Sequence, residues 1–335
     1  MAQIILGIGS SHAPQLAMPP ERWRAYGDRS RSQPEHWFQG KTYSFPELVE
    51  ARAEQHFERE CTDEKFRARF ETCQKAIAHL SETLRRVAPD VCIIFGDDQH
   101  EVFGDNNMPP IAIYHGKTVD DAPRQDRGGY GGRPAVRDPR IDNAPTDRRS
   151  YPAEAELGEY LIEALTANEF DVTRTNMFQG GRLDGAIGHA FYYIYRRLMN
   201  NNTIPHVPVL VNTYYPPNVP TAARCYRLGQ TVRQAIEAWD NKKRVAIFAS
   251  GGLSHTVIEE DLDTRILEGL QNDDIVKLTD YPDVRFRAGT SEIKNWVALA
   301  GAMSGADLEP SIVDYVPCYR TEAGNGCAMG FAEWL

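Results

Sequence analysis

Three histidines each follow a short apolar run, and a histidine in that position can bind a metal ion. The runs cover residues 4–8, 91–95 and 245–249, and the histidines after them are His12 in GSSHAP, His100 in DDQHEVF and His255 in SGGLSH. Neutral imidazole is a good ligand for iron, zinc, copper and nickel. If the runs are strands of one parallel sheet, the three rings lie at its carboxyl edge, where open α/β folds bind their ligands.

A metal centre of this kind also needs a carboxylate, and Glu292 in GTSEIKNW offers one. Two imidazoles and one carboxylate leave coordination positions open, which is typical of non-haem Fe(II) oxygenases. Gly289, Thr290 and Ser291 predict a helix start, and the helix dipole keeps a carboxylate in the first turn ionised. Glu292 could instead only complete the helix cap, and the pattern leaves both roles open.

The elements that must position these residues alternate along the chain. Further strands are predicted at 111–114, 207–212, 312–316 and 327–331, and helices at 64–86, 153–165, 221–239 and 291–303. Alternating strands and helices predict an α/β fold, an α/β/α sandwich around a largely parallel or mixed central sheet. We expect residues 1–335 to form a single catalytic domain. Residues 117–150, rich in Gly, Pro, Arg and Asp, predict a long loop or lid.

Composition excludes several classes of function. The chain has 335 residues, 41% of them hydrophobic, and a formal net charge of −10, which disfavours a nucleic-acid partner. No apolar stretch approaches the ~20 residues that span a bilayer, and no signal peptide is evident, so no membrane association is expected.

The six cysteines form no C-x-x-C pair and predict reduced thiols in a cytoplasmic protein. The spacing of Gly7, Gly9 and His12 fails the dinucleotide fingerprint, which disfavours a nucleotide-dependent oxidoreductase.

Five motifs in sequence order resemble the class III extradiol ring-cleavage dioxygenases, the family typified by the β subunit of protocatechuate 4,5-dioxygenase. They are SSHAPQL, CIIFGDDQHEVFGDNNMPPIAI, DGAIGHAF, ASGGLSH and SEIKNW. The resemblance extends over nearly the whole chain. It implies Fe(II) as cofactor, with His12, His100 and Glu292 as iron ligands and His189 as the catalytic acid/base. His189 begins a predicted helix, whose dipole favours the neutral ring.

One motif departs from the family pattern. Many members have Asp-His directly after the strand, whereas this chain has Asp97-Asp98-Gln99-His100. An alternative alignment shifts the ligand role from His100 towards Asp98. Ser11, Asp97 and Asp98 are candidates for orienting the ligating imidazoles.

Two further regions are expected near the substrate. The resemblance places Tyr214 and Tyr215 of PVLVNTYYPP beside it, although a proline-stabilised surface loop explains these tyrosines equally well. His255 belongs to a recurrent motif and is placed near the site without a defined role.

The resemblance implies an oxidoreductase that incorporates both atoms of O₂ into a small catecholic aromatic acid. The chain looks most similar to enzymes that act on lignin-derived aromatic acids such as 3-O-methylgallate or gallate. It is longer than a typical β subunit, so we expect a homodimer without a separate α subunit. Two alternatives remain open at this point: a zinc-dependent hydrolase with the same His/His/Glu site, and a non-catalytic binding relative.

Overall fold

A computed structural model describes residues 1–122, 147–178 and 185–335. The strands are β1 (Gln3–Ser10), β2 (His36–Phe38), β3 (Lys41–Tyr43), β4 (Val91–Asp97), β5 (Ile111–Tyr114), β6 (Thr118–Asp121), β7 (Arg149–Pro152), β8 (Thr173–Thr175), β9 (His206–Val211), β10 (Arg244–Ser250), β11 (His255–Val257), β12 (Pro310–Tyr319) and β13 (Asn325–Trp334). The helices are α1 (Trp23–Arg31), α2 (Phe45–Ala51), α3 (Asp63–Val87), α4 (Ala155–Ala167), α5 (His189–Tyr193), α6 (Ala222–Ala238), α7 (Glu260–Gln271), α8 (Ile275–Thr279) and α9 (Ile293–Met303).

Nine of the strands form one mixed sheet in the order β11-β13-β1-β10-β4-β9-β5-β8, with β12 paired to β13. The central strands β1, β10, β4 and β9 are parallel. β5 runs antiparallel to β9, and β13 runs antiparallel to β1. The predicted largely parallel or mixed sheet is therefore confirmed.

Helices cover both faces of the sheet. Along β4, Val91, Ile93 and Phe95 join the apolar core beneath α4, α6 and α9, whereas Cys92 and Ile94 join the core beneath α3 and α5. Side chains of a strand point alternately to its two faces, and both sets are fully buried here. This arrangement confirms the α/β/α sandwich, in which parallel strands are covered on both sides.

Local signals explain where the main helices begin. Thr62 accepts a hydrogen bond from the Lys65 amide at the start of α3, and Thr221 accepts one from the Arg224 amide at the start of α6. Such N-caps satisfy amides that have no partner inside the helix. Both helices were predicted within one or two residues.

The predicted loop at 117–150 is only partly described. Its two ends pair as the antiparallel strands β6 and β7, and residues 123–146 lie outside the described residues. Across the described parts, no helix combines the length and the apolar character that crossing a membrane requires.

Strand order brings the candidate site together. β1, β10 and β4 are parallel neighbours, so their carboxyl ends lie side by side. His12 follows β1, Asp97 ends β4, and His255 begins β11 shortly after β10. α5 and α9 begin with His189 and directly after Glu292, respectively.

Candidate active site

Four side chains converge at the carboxyl edge of the sheet. His12, Asp97, His189 and Glu292 each offer one nitrogen or oxygen atom, and these atoms all lie within 4.8 Å of one another. His12, Asp97 and Glu292 are buried, and His189 is partly exposed. These four residues are called the donor cluster below.

The ring of His12 is oriented by Ser250. Ser250 donates its hydroxyl proton to the carbonyl of Ala190 at 2.6 Å, so its oxygen accepts from Nδ1 of His12 at 3.0 Å. Nε2 of His12 then faces Oε2 of Glu292 at 3.2 Å. A histidine whose second nitrogen is held in this way has the orientation of a metal ligand.

Glu292 is the most heavily bonded carboxylate of the site. Its Oε2 accepts from the Gly252 amide at 2.7 Å, and its Oε1 lies 3.1 Å from Nε2 of Gln99 and 3.2 Å from Nε2 of His255. Burial raises the pKa of Glu292, but the neighbouring His255 and His12 outweigh burial and hold that pKa well below its usual range. Glu292 is therefore ionised at neutral pH, as ligation requires.

Asp97 carries an unsatisfied oxygen. Its side chain is fully buried, Oδ2 accepts from Nε2 of Gln99 at 3.3 Å, and Oδ1 has no hydrogen-bond partner among the residues that the structure describes. Burial and the negative charge of Glu292 raise the pKa of Asp97 to about 6.

The donor cluster fits a divalent cation. Two carboxylates in a dry site repel each other, and a cation would offset this repulsion and bind the unpartnered oxygen of Asp97. Mixed imidazole and carboxylate donors suit iron, zinc and manganese.

His189 is paired with a carboxylate that sequence analysis missed. Nδ1 of His189 lies 2.5 Å from Oε2 of Glu101, which also accepts from the His189 amide at 3.0 Å. Burial lowers the pKa of His189, but the charge and hydrogen bond of Glu101 outweigh burial and raise it to about 9. The expectation of a neutral ring, based on the helix dipole alone, is therefore corrected.

His100 is not part of the donor cluster. Its backbone has φ = 58°. Its ring centroid lies 3.7 Å from that of Tyr215, and its Nε2 lies 3.3 Å from Oδ1 of the exposed Asp105. Gln99 reaches both Asp97 and Glu292 instead. The physical reason is the turn after β4, which directs the side chain of His100 away from the cluster.

The structure gives Asp98 and Ser11 roles in holding the backbone. Asp98 accepts from the amides of Glu101, Val102 and Phe103, each at 2.9 Å. Ser11 bonds with the Gly330 amide on β13 at 2.9 Å. Neither side chain bonds to a ring of the donor cluster in the described contacts, whereas Ser250 bonds to His12 and Glu101 bonds to His189.

His255 lies beside the donor cluster and contacts Glu292. Its Nδ1 donates to the carbonyl of Leu253 at 2.8 Å, and its amide bonds to Thr290 at 3.1 Å. A Cβ on Gly289 would lie 2.1 Å from the His255 ring, so only glycine allows this approach. Burial lowers the pKa of His255, but Glu292 outweighs burial and raises it well above its usual value.

Tyr215 lies against the ring of His100, and Tyr214 lies against Tyr215. Their rings are 5.1 Å apart and half-buried, and Tyr215 stacks edge-on with His100. Asn212 holds the turn by accepting from the Tyr215 amide at 2.8 Å and donating to its carbonyl at 2.7 Å.

Three residues at the site, Gln99, Glu101 and Ser250, were not selected from the sequence as functional. All three stand inside the motifs DDQHEVF and SGGLSH, so proximity to the predicted histidines was the available signal. Their contacts depend on the turns after β4 and β10, which side-chain type does not predict.

Two named relatives match part of the chain. It is 31% identical over 174 residues, 48% of this chain and 48% of the relative, to a gallate dioxygenase of Pseudomonas putida (strain KT2440). It is 25% identical over 181 residues, 54% of this chain and 48% of the relative, to a 2,3-dihydroxyphenylpropionate/2,3-dihydroxicinnamic acid 1,2-dioxygenase of Comamonas testosteroni. The chain thus spans about half the length of these relatives. Residues 61–326 match the family described as the catalytic LigB subunit of aromatic ring-opening dioxygenase, and the chain belongs to this family.

Proposed function

We propose that the protein is an Fe(II)-dependent extradiol dioxygenase that opens the ring of a catecholic aromatic acid. The observation that carries the proposal is the donor cluster, in which buried Asp97 keeps one oxygen that has no hydrogen-bond partner among the described residues, beside His12 and Glu292. Membership of a ring-opening dioxygenase family supports the reaction class.

The proposed iron ligands are His12, Asp97 and Glu292. This set replaces His100 by Asp97, because Asp97 lies with the other donors and His100 does not. Gln99 would help to position these carboxylates, since its Nε2 donates to both Asp97 and Glu292. When bound, ferrous iron would supply open coordination positions and the one-electron chemistry that lets triplet dioxygen react with an aromatic diol.

The protein's own residues would bind the diol and move its protons. Adjacent hydroxyls of a catechol are acidic enough to be deprotonated near a cation, and His189 offers an imidazole beside His12, with the ring centroids 4.5 Å apart. Nδ1 of His189 is occupied by Glu101, so Nε2 is the nitrogen available to the substrate. Because Glu101 raises the pKa of His189 to about 9, Nε2 carries a proton at neutral pH, and His189 would donate this proton during ring opening and take up another afterwards.

Hydrogen bonds around Glu292 would hold the side chains of the donor cluster in position during the reaction. Asn295 donates to the carbonyl of Ser250 at 3.0 Å, and Trp296 donates to that of Gly251 at 2.8 Å. These bonds tie the start of α9 to the end of β10. A rigid, buried surround excludes water and preserves the positions of the donors.

The proposed substrates are gallate, 3-O-methylgallate or a similar lignin-derived acid. The names of the two relatives, both dioxygenases of hydroxylated aromatic acids, support this class. Tyr214 and Tyr215 would form the outer wall of the substrate pocket. Tyr215 contacts His100, which lies on the loop after β4, and Tyr214 contacts Tyr215. We further propose a cytoplasmic homodimer without a separate α subunit; the six free cysteines are consistent with a reducing compartment.

Oxygen uptake tests this function. Protein loaded anaerobically with Fe(II) is mixed with gallate, 3-O-methylgallate, protocatechuate and 2,3-dihydroxyphenylpropionate in an oxygen electrode, and products are identified by mass spectrometry. We expect equimolar oxygen uptake and a product that has gained both oxygen atoms with at least one acid. Benzoate, which lacks vicinal hydroxyls, is the matched control.

Two outcomes would refute the proposal. Ester or amide hydrolysis by zinc-loaded protein without oxygen uptake would make it a hydrolase. Tight binding of catecholic acids with no turnover by iron-loaded protein would make it a binding relative.

A further inference from the structure

The buried carboxylate of Glu101 is hydrogen-bonded to Nδ1 of His189. The side chain of Glu101 is 1% exposed, whereas that of His189 is 16% exposed. A single oxygen of Glu101, Oε2, accepts from both Nδ1 and the backbone amide of His189, at 2.5 and 3.0 Å. These two bonds fix both the ring and the first residue of α5 relative to Glu101.

The loop that carries Glu101 is itself held. Both oxygens of Asp98 are used by three successive amides, the first of which belongs to Glu101. On the other side, Gly188 allows the close approach of α5, since a Cβ there would lie 2.5 Å from Oε2 of Glu101. The position of the carboxylate is therefore determined from both sides.

The contact has a defined consequence for the ring. An acceptor at Nδ1 keeps a proton on that nitrogen, which leaves Nε2 to exchange protons at the site. The ring then stands edge-on to His12 at an angle of 77°. Ser250 acts on Nδ1 of His12 in the same manner, so the two rings of the cluster have separate orienting partners.

We propose that Glu101 is the positioning residue of His189, which holds its ring and keeps the proton on Nδ1, so that Nε2 serves as the proton-transfer atom. The inference rests on the proposed function. Glu101 acts through His189, because its Oε2 is bonded to Nδ1 and to the backbone amide of His189 and its side chain is 1% exposed. Its hydrogen bonds carry this role, and an uncharged acceptor oxygen in the same place preserves it.

The test compares Glu101→Leu with Glu101→Gln. Leucine removes the acceptor, so kcat falls on the order of 10- to 100-fold, as for other partners that orient a site histidine, while KM stays near the wild-type value. Glutamine keeps an acceptor oxygen and restores most of kcat. Fe(II) affinity, measured by anaerobic calorimetry, stays at the wild-type level in both variants.

The second readout does not depend on turnover. ¹⁵N-histidine-labelled protein, with the His189 signals assigned by their loss in His189→Asn, reports which ring nitrogen carries the proton. We expect a hydrogen-bonded proton on Nδ1 in wild type and Glu101→Gln, and its loss in Glu101→Leu. If wild type opens no catechol, the proposed function fails, whereas this spectrum still tests the Glu101 contact.

A matched control comes from a second carboxylate–histidine pair. Glu333 is buried on β13 and lies 3.0 Å from Nε2 of His79. Glu333→Gln should leave kcat unchanged. Wild-type kcat in Glu101→Leu, an unchanged Nδ1 signal, or a loss confined to KM or iron affinity would overturn the proposal.

Discussion

Replacing Asp97 by Asn should stabilise the metal-free protein and weaken its metal binding. Burial and the charge of Glu292 raise the pKa of Asp97 from 3.8 to about 6. Because the folded-state pKa lies above the unfolded value, stability is lost as the pH rises through this interval. The difference between 3.8 and about 6 lowers the free energy of unfolding at pH 7 by about 3 kcal/mol. Asparagine keeps the shape without the charge and should recover up to about 3 kcal/mol of this free energy at pH 7.

Urea unfolding of chelator-treated protein measures this effect. The advantage of Asp97→Asn over wild type should be near zero at about pH 4 and grow towards pH 7. Fe(II) affinity, measured by anaerobic calorimetry, should fall at least about tenfold because a ligand is lost. Asp105→Asn, at a side chain that is 95% exposed, is the matched control and should change neither quantity. Equal stability at pH 7 would show that Asp97 carries no buried charge there, and unchanged iron affinity would show that it is not a ligand.

Three further substitutions test other parts of the site. His189→Ala should keep iron and lose turnover on the order of 10²- to 10⁴-fold, as for a lost acid/base, in paired iron and oxygen-uptake assays; lost iron would make His189 a ligand. His100→Ala should keep its Fe(II) affinity in calorimetry, since its ring lies outside the donor cluster; a loss as large as that of His12→Ala would restore His100 as a ligand. Gly289→Ala should lower the free energy of unfolding by about 1–3 kcal/mol because its Cβ would meet the His255 ring at 2.1 Å. Wild-type stability of that variant in urea would show that the ring has room.

Hydrophobic patterning predicted the central part of the fold. The run at 91–95 is the apolar part of β4, which is buried along its whole length, and the periodic stretch at 64–86 is α3 with its Thr62 cap. Strand direction was not predictable for β13, since an apolar run has no directional signal. β8 and β11 are three residues long, too short for a periodic pattern to form.

The candidate site was predictable where a side chain lies within two residues of the end or start of a regular element. His12 comes two residues after β1, and Glu292 directly precedes α9, so their meeting follows from strand and helix ends. His100 comes three residues after β4 in a left-handed conformation, and its direction depends on a turn that residue type does not specify. Glu101 was not predicted because its role depends on its hydrogen bond with His189 of α5, which is 88 residues away in sequence.

Anomalous diffraction at the iron edge, from crystals soaked anaerobically with Fe(II), tests the central claim most directly. We expect one iron peak within bonding distance of His12, Asp97 and Glu292, with His100 away from it. A peak bonded to His100 instead of Asp97, or no peak at the donor cluster, would contradict it.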